Sequence, residues 1–256
     1  MGIACFLFIL IFVRDELSYD RHHGQADRLY RMHFYGQLFE QEIDISTVGD
    51  AWGPLLQREY PAVEQYVRLR GHGDFLVRYR EHAYREEEVV FADSTLFDLF
   101  SFRLLKGDSR TALAEPYTVV ISETAAKKYF GAEDPIGKAL TFDNRDQYRV
   151  TGVMETIPRN SHFRFDMFLS MATLDESRAN QWLSFNFYTY LLLREGAAPA
   201  DLQGEFPKIA RTYIGSQLEQ FVGQSYDDFL AAGNTMEFSL FPLTRIHLYS
   251  HTIDEL

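Results

Sequence analysis

The sequence predicts an α+β fold in which a discontinuous α/β subdomain carries an inserted, strand-rich α+β lobe. Strand-like and helical patterns alternate at the start of the chain and again after residue 160, whereas short strands dominate from Phe75 to Glu155. Two loop-like stretches, Gly71-His72-Gly73-Asp74 and Pro158-Arg159-Asn160-Ser161, mark where the pattern changes. A chain of 256 residues can bury a sufficient core without disulfides or metals.

The chain opens with an apolar run. Gly2 to Val13 carries no charge, and as a helix these residues span about 18 Å, less than the roughly 30 Å of a bilayer core. We interpret residues 1–20 as the end of a truncated transmembrane helix and its stalk, with a buried N-terminal helix as the alternative. A signal peptide fits poorly, because no basic region precedes the run and Arg14-Asp15-Glu16 follows it.

The first unit after the stalk reads as β-α-β. Alternation and helical spacing predict a strand at Arg28–Leu38, a helix from Trp52 to Tyr60 and a strand at Val63–Arg70. Pro61 ends the helix.

The lobe is predicted as short strands with two helices. Its strands are Phe75–Arg80, Arg85–Ala92, Tyr117–Ile121, Ala139–Phe142 and Tyr148–Met154. Asp93 or Ser94 caps a short helix, and Ser122 with Glu123 begins a second one that Gly131 ends.

A second α/β unit follows the lobe. Its predicted elements are strands at Phe165–Met171 and Phe185–Leu193, a helical region from Pro199 to Ile214 and a strand at Met236–Leu243. Core packing is the expected role of the aromatic residues near Phe185 and Tyr190, with an apolar cleft as the alternative.

Several short segments occur in a fixed order along the chain. They are Phe91-Ala92-Asp93, Leu104–Asp108, Val119–Ser122, Glu133–Lys138, Tyr148–Val153 and Asn160–Phe163, flanked by Asp15–Asp20 and Ile246–Ser250. In this order they resemble the MacB-like periplasmic core domain of FtsX-like ABC transporter permeases. The resemblance implies a porter-like α/β subdomain formed by residues 21–71 plus 160–250, with an inserted small α+β lobe at residues 72–159.

The resemblance also implies a function. The chain would be a non-catalytic extracytoplasmic domain between two transmembrane helices, on the periplasmic or extracellular side of the bacterial inner membrane. It would couple ATP hydrolysis by a cytoplasmic ATP-binding subunit or domain to export of a cargo or control of a partner. A permease dimer and a periplasmic adaptor or other protein partner are further implied. The alternative is an extracytoplasmic ligand-binding sensor domain of a membrane receptor.

Composition excludes some classes. The net charge of −12 argues against a nucleic-acid partner, because phosphate binding needs clustered Lys and Arg. The only cysteine, Cys5, can form no internal disulfide.

One segment imitates a phosphate loop. Gly131 to Lys138 has five residues between its glycines instead of four, and Ala139 stands where a magnesium-binding Ser or Thr is needed. We therefore expect a plain turn and no cofactor.

Several histidines and carboxylates are candidate metal ligands, but their spacing does not favour a metal site. The pattern of Ile246 to Tyr249 predicts an extended segment. In an extended chain His247 and His251 would lie about 13 Å apart on one strand face, too far apart to share a metal ion. His22 and His23 are expected on a solvated surface, and Glu86-Glu87-Glu88 on alternating strand faces.

Ser161 and His162 could be a nucleophile and a base, but their side chains would diverge in an extended segment. Asn160 and Ser161 are expected to bond local backbone groups in a turn. We assign no catalytic, cofactor-binding or metal-ligating residue.

Overall fold

A mixed sheet of thirteen strands runs through the computed structural model, which describes residues 2–250 and 252. In chain order the strands are β1 Leu29–Leu38, β2 Gln41–Ile45, β3 Val63–Gly71, β4 Phe75–Tyr79, β5 His82–Glu86, β6 Val89–Ala92, β7 Leu104–Lys106, β8 Thr118–Ser122, β9 Ala139–Phe142, β10 Asp146–Met154, β11 Met167–Ser170, β12 Tyr188–Leu193 and β13 Thr235–Pro242. Their order across the sheet is β13-β1-β12-β3-β6-β11-β8-β10-β9-β4-β5, while β2 pairs with β1 and β7 with β10.

Most strand pairs are antiparallel, and β6–β11 and β8–β10 are parallel. The helices are α1 Gly2–Glu16, α2 Trp52–Glu59, α3 Leu96–Leu99, α4 Glu123–Phe130, α5 Pro199–Ile209, α6 Gly215–Val222, α7 Tyr226–Ala231 and α8 Ile246–Tyr249. A π-helical turn at Ala210–Ile214 joins α5 to α6. The predicted α+β fold class is confirmed.

The sheet is continuous across the predicted domain boundaries. Strand β11, in the range assigned to the porter-like subdomain, lies between β6 and β8, which belong to the range of the lobe. The division into residues 21–71 plus 160–250 and residues 72–159 stays a prediction.

Strand β12 lies at the centre of the core. All six of its residues are buried, because apolar side chains cover both of its faces. On one face Tyr190 packs with α3 and residue Phe100, and on the other Leu191 packs with α2 and α5. A strand buried on both faces reads as a nearly continuous apolar run, and the sequence Tyr188 to Leu193 has that character.

Local chemistry explains the boundaries of α4. The Ser122 hydroxyl oxygen accepts a hydrogen bond from the Ala125 backbone N–H at 3.0 Å, so it satisfies one of the free donors of the first turn. Gly131 follows the last residue with φ of +61°, a conformation that glycine adopts without a steric penalty. The predicted beginning and end of this helix are both confirmed.

Three predictions about secondary structure are wrong. Neither Asp93 nor Ser94 caps α3, because Thr95 precedes the helix and makes no side-chain cap hydrogen bond. The predicted strand Arg85–Ala92 is two strands, because β5 pairs back on β4 whereas β6 pairs with β3 and β11. Ile246–Tyr249 is not extended but forms α8, and the side chain of Ile246 is buried in the core. His251 lies outside the described residues, so its spacing from His247 stays a prediction.

Helix α1 extends from the domain with its apolar side chains exposed; Phe8, for example, is 74% exposed. The alternative of a buried N-terminal helix is therefore wrong. Among the described residues, no helix combines the length and apolar character needed to cross a bilayer.

Gly49 lies where two backbone segments touch. A Cβ at this position would collide with the Gln181 carbonyl oxygen and lie 2.8 Å from the Trp182 backbone. We expect Gly49→Ala to lower the free energy of unfolding by about 1–3 kcal/mol, because rigid backbone must shift to admit the methyl group. Urea denaturation measures the change in the free energy of unfolding.

Gly204→Ala is the matched control. No atom lies within 4 Å of the Cβ that this substitution adds, so we expect an unchanged or higher stability. Equal losses at the two sites would contradict the packing argument.

Candidate functional site

The chain leaving α1 is hydrogen-bonded to a loop near residue 160, which is distant in sequence. The Asp20 backbone N–H donates to the Asn160 carbonyl oxygen at 2.8 Å, and Asn160 Nδ2 donates to the Ser18 carbonyl oxygen at 3.2 Å. Asp20 adopts φ of +59°, a left-handed conformation in which a short polar side chain can bond nearby backbone. The loop after α1 therefore has a fixed shape.

His162 connects this fastening to the sheet. Its Nδ1 and its backbone N–H lie 2.9 and 3.1 Å from Asp20 Oδ1, and its Nε2 lies 2.7 Å from the Tyr190 hydroxyl of β12. The side chains of His162 and Asp20 are only 3% and 1% exposed. We call Ser18, Asp20, Asn160, His162 and Tyr190 the base junction.

The base junction favours an ionised Asp20. Burial opposes the charge, but the hydrogen bonds and the charge of His162 outweigh it, so the pKa of the Asp20 carboxyl lies below its usual value. An ionised carboxylate only accepts, so His162 Nδ1 carries the proton that lies between them. The buried polar groups thus hold one another in a single arrangement.

A second connection joins α1 to α8. His247 Nε2 lies 2.9 Å from Glu16 Oε2, and the ring of Tyr19 stacks on the His247 ring with centroids 3.3 Å apart. The end of α1 and the segment near residue 250 therefore lie side by side.

His23 is buried beneath the base junction, so the prediction that it lies on a solvated surface is wrong; His22 is exposed as expected. His23 Nδ1 accepts a hydrogen bond from the Ser101 backbone N–H at 3.1 Å, and its ring packs edge-on against Phe100 and Phe102. Burial disfavours the imidazolium and lowers the pKa of His23 to about 3.

The prediction that the side chains of Asn160 and Ser161 bond local backbone groups in a turn is wrong. Asn160 bonds Ser18, and Ser161 Oγ lies 3.2 Å from His22 Nε2, each across about 140 positions of sequence. As predicted, the side chains of Ser161 and His162 go to different partners. They therefore form no nucleophile–base pair.

Arg68 of β3 binds three separate segments of the chain. Its Nε and Nη2 donate to the two carboxylate oxygens of Asp93 at 2.9 Å, and its Nη1 donates to the Asp50 and Ser177 carbonyl oxygens at 2.9 and 2.8 Å. We call these four residues the Arg68 clasp. Three of its residues, Asp50, Arg68 and Ser177, line a cleft of about 480 Å³ against α2. Its partners are distant in sequence, so no local pattern predicts it.

The sequence pattern of the MacB-like periplasmic core domain matches residues 1–209. The chain belongs to this family. Members are periplasmic or extracellular, non-catalytic domains of ABC transporter permeases. No match was found among curated proteins.

Two of the similar solved structures, from a candidate permease and from YknZ, share the fold of this MacB-like domain. A domain of a candidate permease from Porphyromonas gingivalis is 26% identical, with a TM-score of 0.73 over 87% of this chain and 92% of its own. The extracellular domain of the noncanonic ABC-type transporter YknZ from Gram-positive bacteria is 14% identical, with a TM-score of 0.51 over 82% and 99% of the two chains. The periplasmic region of MacB from Actinobacillus actinomycetemcomitans is 16% identical, with a TM-score of 0.48 over 89% and 94%.

The segment that imitates a phosphate loop is a turn in the MacB-like domain. The Lys138 ammonium binds the Glu133 carboxylate, which also accepts from Arg80 at 2.9 Å. The Lys138 ammonium is thus ion-paired with Glu133, whose carboxylate would also repel a phosphate.

The remaining candidate residues have structural roles in the MacB-like domain. Glu86 binds Lys128 of α4 at 2.7 Å, whereas Glu88 faces the cleft near the base junction. No group of three or more potential metal ligands converges within residues 2–250 and 252. Phe187 and Tyr190 are fully buried, which confirms their expected place in the core.

Proposed function

We propose that this domain couples cytoplasmic ATP hydrolysis to export of a cargo, or to control of a partner, outside the inner membrane. One observation carries the proposal: the base junction fastens α1 to strand β12 through buried hydrogen bonds. A displacement of α1 therefore reaches the sheet without an intervening flexible segment.

The position of β12 determines where such a displacement goes. β12 pairs with β1 on one side and with β3 on the other, so it lies inside the sheet. Packed elements move as rigid bodies when their connections are stiff. The porter-like subdomain and the inserted lobe would then move together, because the sheet runs through both ranges.

The proposal includes partners that supply and receive this motion. The ATP would bind a separate subunit or domain, since Gly131–Lys138 has neither the spacing nor the free lysine of a phosphate loop. Transmembrane helices would connect α1 and the segment after α8 to that ATPase. A permease dimer and a periplasmic adaptor, or another protein partner, belong to the same proposal through the family resemblance.

Fluorescence energy transfer to the membrane tests the coupling. The complete permease is reconstituted with its ATPase in vesicles that carry an acceptor dye. A donor is placed at Glu81→Cys, in the exposed turn between β4 and β5, in a Cys5→Ser background. We expect ATP to change the transfer efficiency in the otherwise native protein and His162→Ala to abolish most of that change. ATP hydrolysis should continue, because the base junction lies outside the ATPase.

The matched control is His72→Ala, which removes an exposed histidine outside the base junction. It should leave the ATP-dependent change intact. A transfer efficiency that ATP never changes would contradict the proposed coupling. A full response in His162→Ala would show that the base junction does not transmit it.

A further inference from the structure

The arginines around the end of α1 have no carboxylate partners. Arg14, Arg21, Arg159 and Arg164 form no ion pair with any residue of the described chain. Among the described residues, the Arg21 side chain donates only to the Leu17 carbonyl oxygen. Exposed cations elsewhere on this acidic chain commonly pair with a carboxylate. The guanidinium groups of Arg159 and Arg164 therefore keep donors that no carboxylate of the described chain binds directly.

Two of these arginines line a cleft below the base junction. The cleft has a volume of about 570 Å³, and Arg159 and Arg164 form part of its wall with Tyr19, Ser161 and His247. Both arginines are exposed. Guanidinium groups donate in a planar fork that matches the oxygens of a phosphate. The cleft can therefore receive a phosphate group.

An apolar groove on α1 adjoins this cleft. Phe8, Ile11 and Phe12 line the groove, and the two hollows share Asp15. The three apolar side chains are between 62% and 74% exposed, and no other element within residues 2–250 lines the groove. An elongated ligand could place a polar end in the cleft and an apolar chain along α1.

Two carboxylates in the cleft, Asp15 and Glu88, oppose an anion. Burial and the neighbouring charge of Asp166 raise the pKa of the Glu88 carboxyl, although Arg164 acts in the opposite direction. Asp15 lines both hollows, whereas Arg159 and Arg164 line the cleft alone, so the phosphate is expected at the two arginines.

We propose that the cleft and the groove together bind one anionic phospholipid, with its phosphate at Arg159 and Arg164 and an acyl chain along Phe8, Ile11 and Phe12. The inference rests on the membrane placement in the proposed function, because α1 must lie at the lipid interface. Tyr19, half-buried in the wall of the cleft, is an amphipathic side chain of the kind enriched at that interface.

Lipid titration in a neutral detergent tests this site. Binding of dioctanoyl phosphatidylglycerol to the 256-residue chain is compared with that of dioctanoyl phosphatidylcholine and of glycerol phosphate by native mass spectrometry. We expect the double variant Arg159→Ala/Arg164→Ala to bind phosphatidylglycerol about 30-fold more weakly, since each arginine near an anionic lipid contributes about fivefold. Phe8→Ala/Phe12→Ala should weaken it about 10-fold through lost apolar contact.

The matched control is Arg58→Ala/Arg178→Ala, which removes the same charge from exposed side chains that line a different cleft. It should bind phosphatidylglycerol as the unmodified chain does. If phosphatidylcholine bound as tightly as phosphatidylglycerol, the site would recognise only the apolar chain, and the proposal would be wrong. If glycerol phosphate bound as tightly as phosphatidylglycerol, the site would bind a free phosphate and not a lipid. An unchanged affinity in Arg159→Ala/Arg164→Ala would also overturn the proposal.

Flotation on neutral phosphatidylcholine vesicles separates this inference from the function on which it rests. A chain that floats on neutral vesicles but shows no preference for phosphatidylglycerol contradicts the lipid site only. A chain that does not associate with vesicles of either composition contradicts the membrane placement itself.

Discussion

Arg68→Ala is expected to lower the free energy of unfolding by about 3–5 kcal/mol, the usual effect of removing one partner of a buried ion pair. The substitution leaves the Asp93 carboxylate with no counter-charge, although its side chain is only 14% exposed. It also removes the donor to the Asp50 and Ser177 carbonyl oxygens. Urea denaturation followed by circular dichroism measures the loss.

Two variants decide whether the Arg68 clasp accounts for that loss. Arg68→Met/Asp93→Leu removes both charges and should recover most of the stability, because no unpaired ion remains. Arg58→Ala breaks an exposed pair with Glu59 and should change stability by less than about 1 kcal/mol. If Arg68→Ala were as mild as Arg58→Ala, the clasp would not be a stabilising element.

Stability is expected to fall by about 2 kcal/mol between pH 6.5 and pH 5 because of His23. Its folded-state pKa of about 3 lies below the ordinary value of 6.5. Between these two values the unfolded chain binds a proton that the folded chain excludes, so acid favours unfolding. The contribution is complete above pH 6.5 and continues to decrease toward pH 3. Urea denaturation at pH 5, 6 and 7 measures the slope.

His23→Gln tests the assignment, because its amide oxygen can accept from the Ser101 N–H but the side chain does not titrate. This variant should lose most of the slope between pH 7 and pH 5. The depressed pKa of Asp20 does not interfere, because its contribution disappears only at lower pH. A slope that persists in His23→Gln would assign the effect to another group.

Much of the fold could be predicted from local sequence. Helical spacing located α2, and alternation located β1, because each pattern matches one buried face. The caps of α4 were equally local, since Ser122 and Gly131 act on adjacent backbone. Strand pairing was not predictable. The residues from Arg85 to Ala92 have one continuous strand-like pattern, but they belong to β5, which pairs with β4, and to β6, which pairs with β3.

The base junction required long-range information that one sequence does not contain. Asn160 and His162 meet Ser18 and Asp20 across 142 positions, so neither segment alone indicates the contact. The only signal was the resemblance, which marked both segments as typical of the family. For the burial of His23 the sequence held no signal, because a buried histidine and a solvated one look alike in sequence.

The pairing of β1 has a consequence for the synthesis of the protein. The second half of β1 pairs with the adjacent strand β2, but Leu29 pairs with Leu192 and Tyr30 with Pro242, so the other two neighbours of β1, the strands β12 and β13, come from much later in the chain. Such a high contact order makes folding slow, and unpaired strand edges made early are prone to aggregation until folding is complete. We therefore expect the nascent domain to depend on chaperones until β13 has emerged.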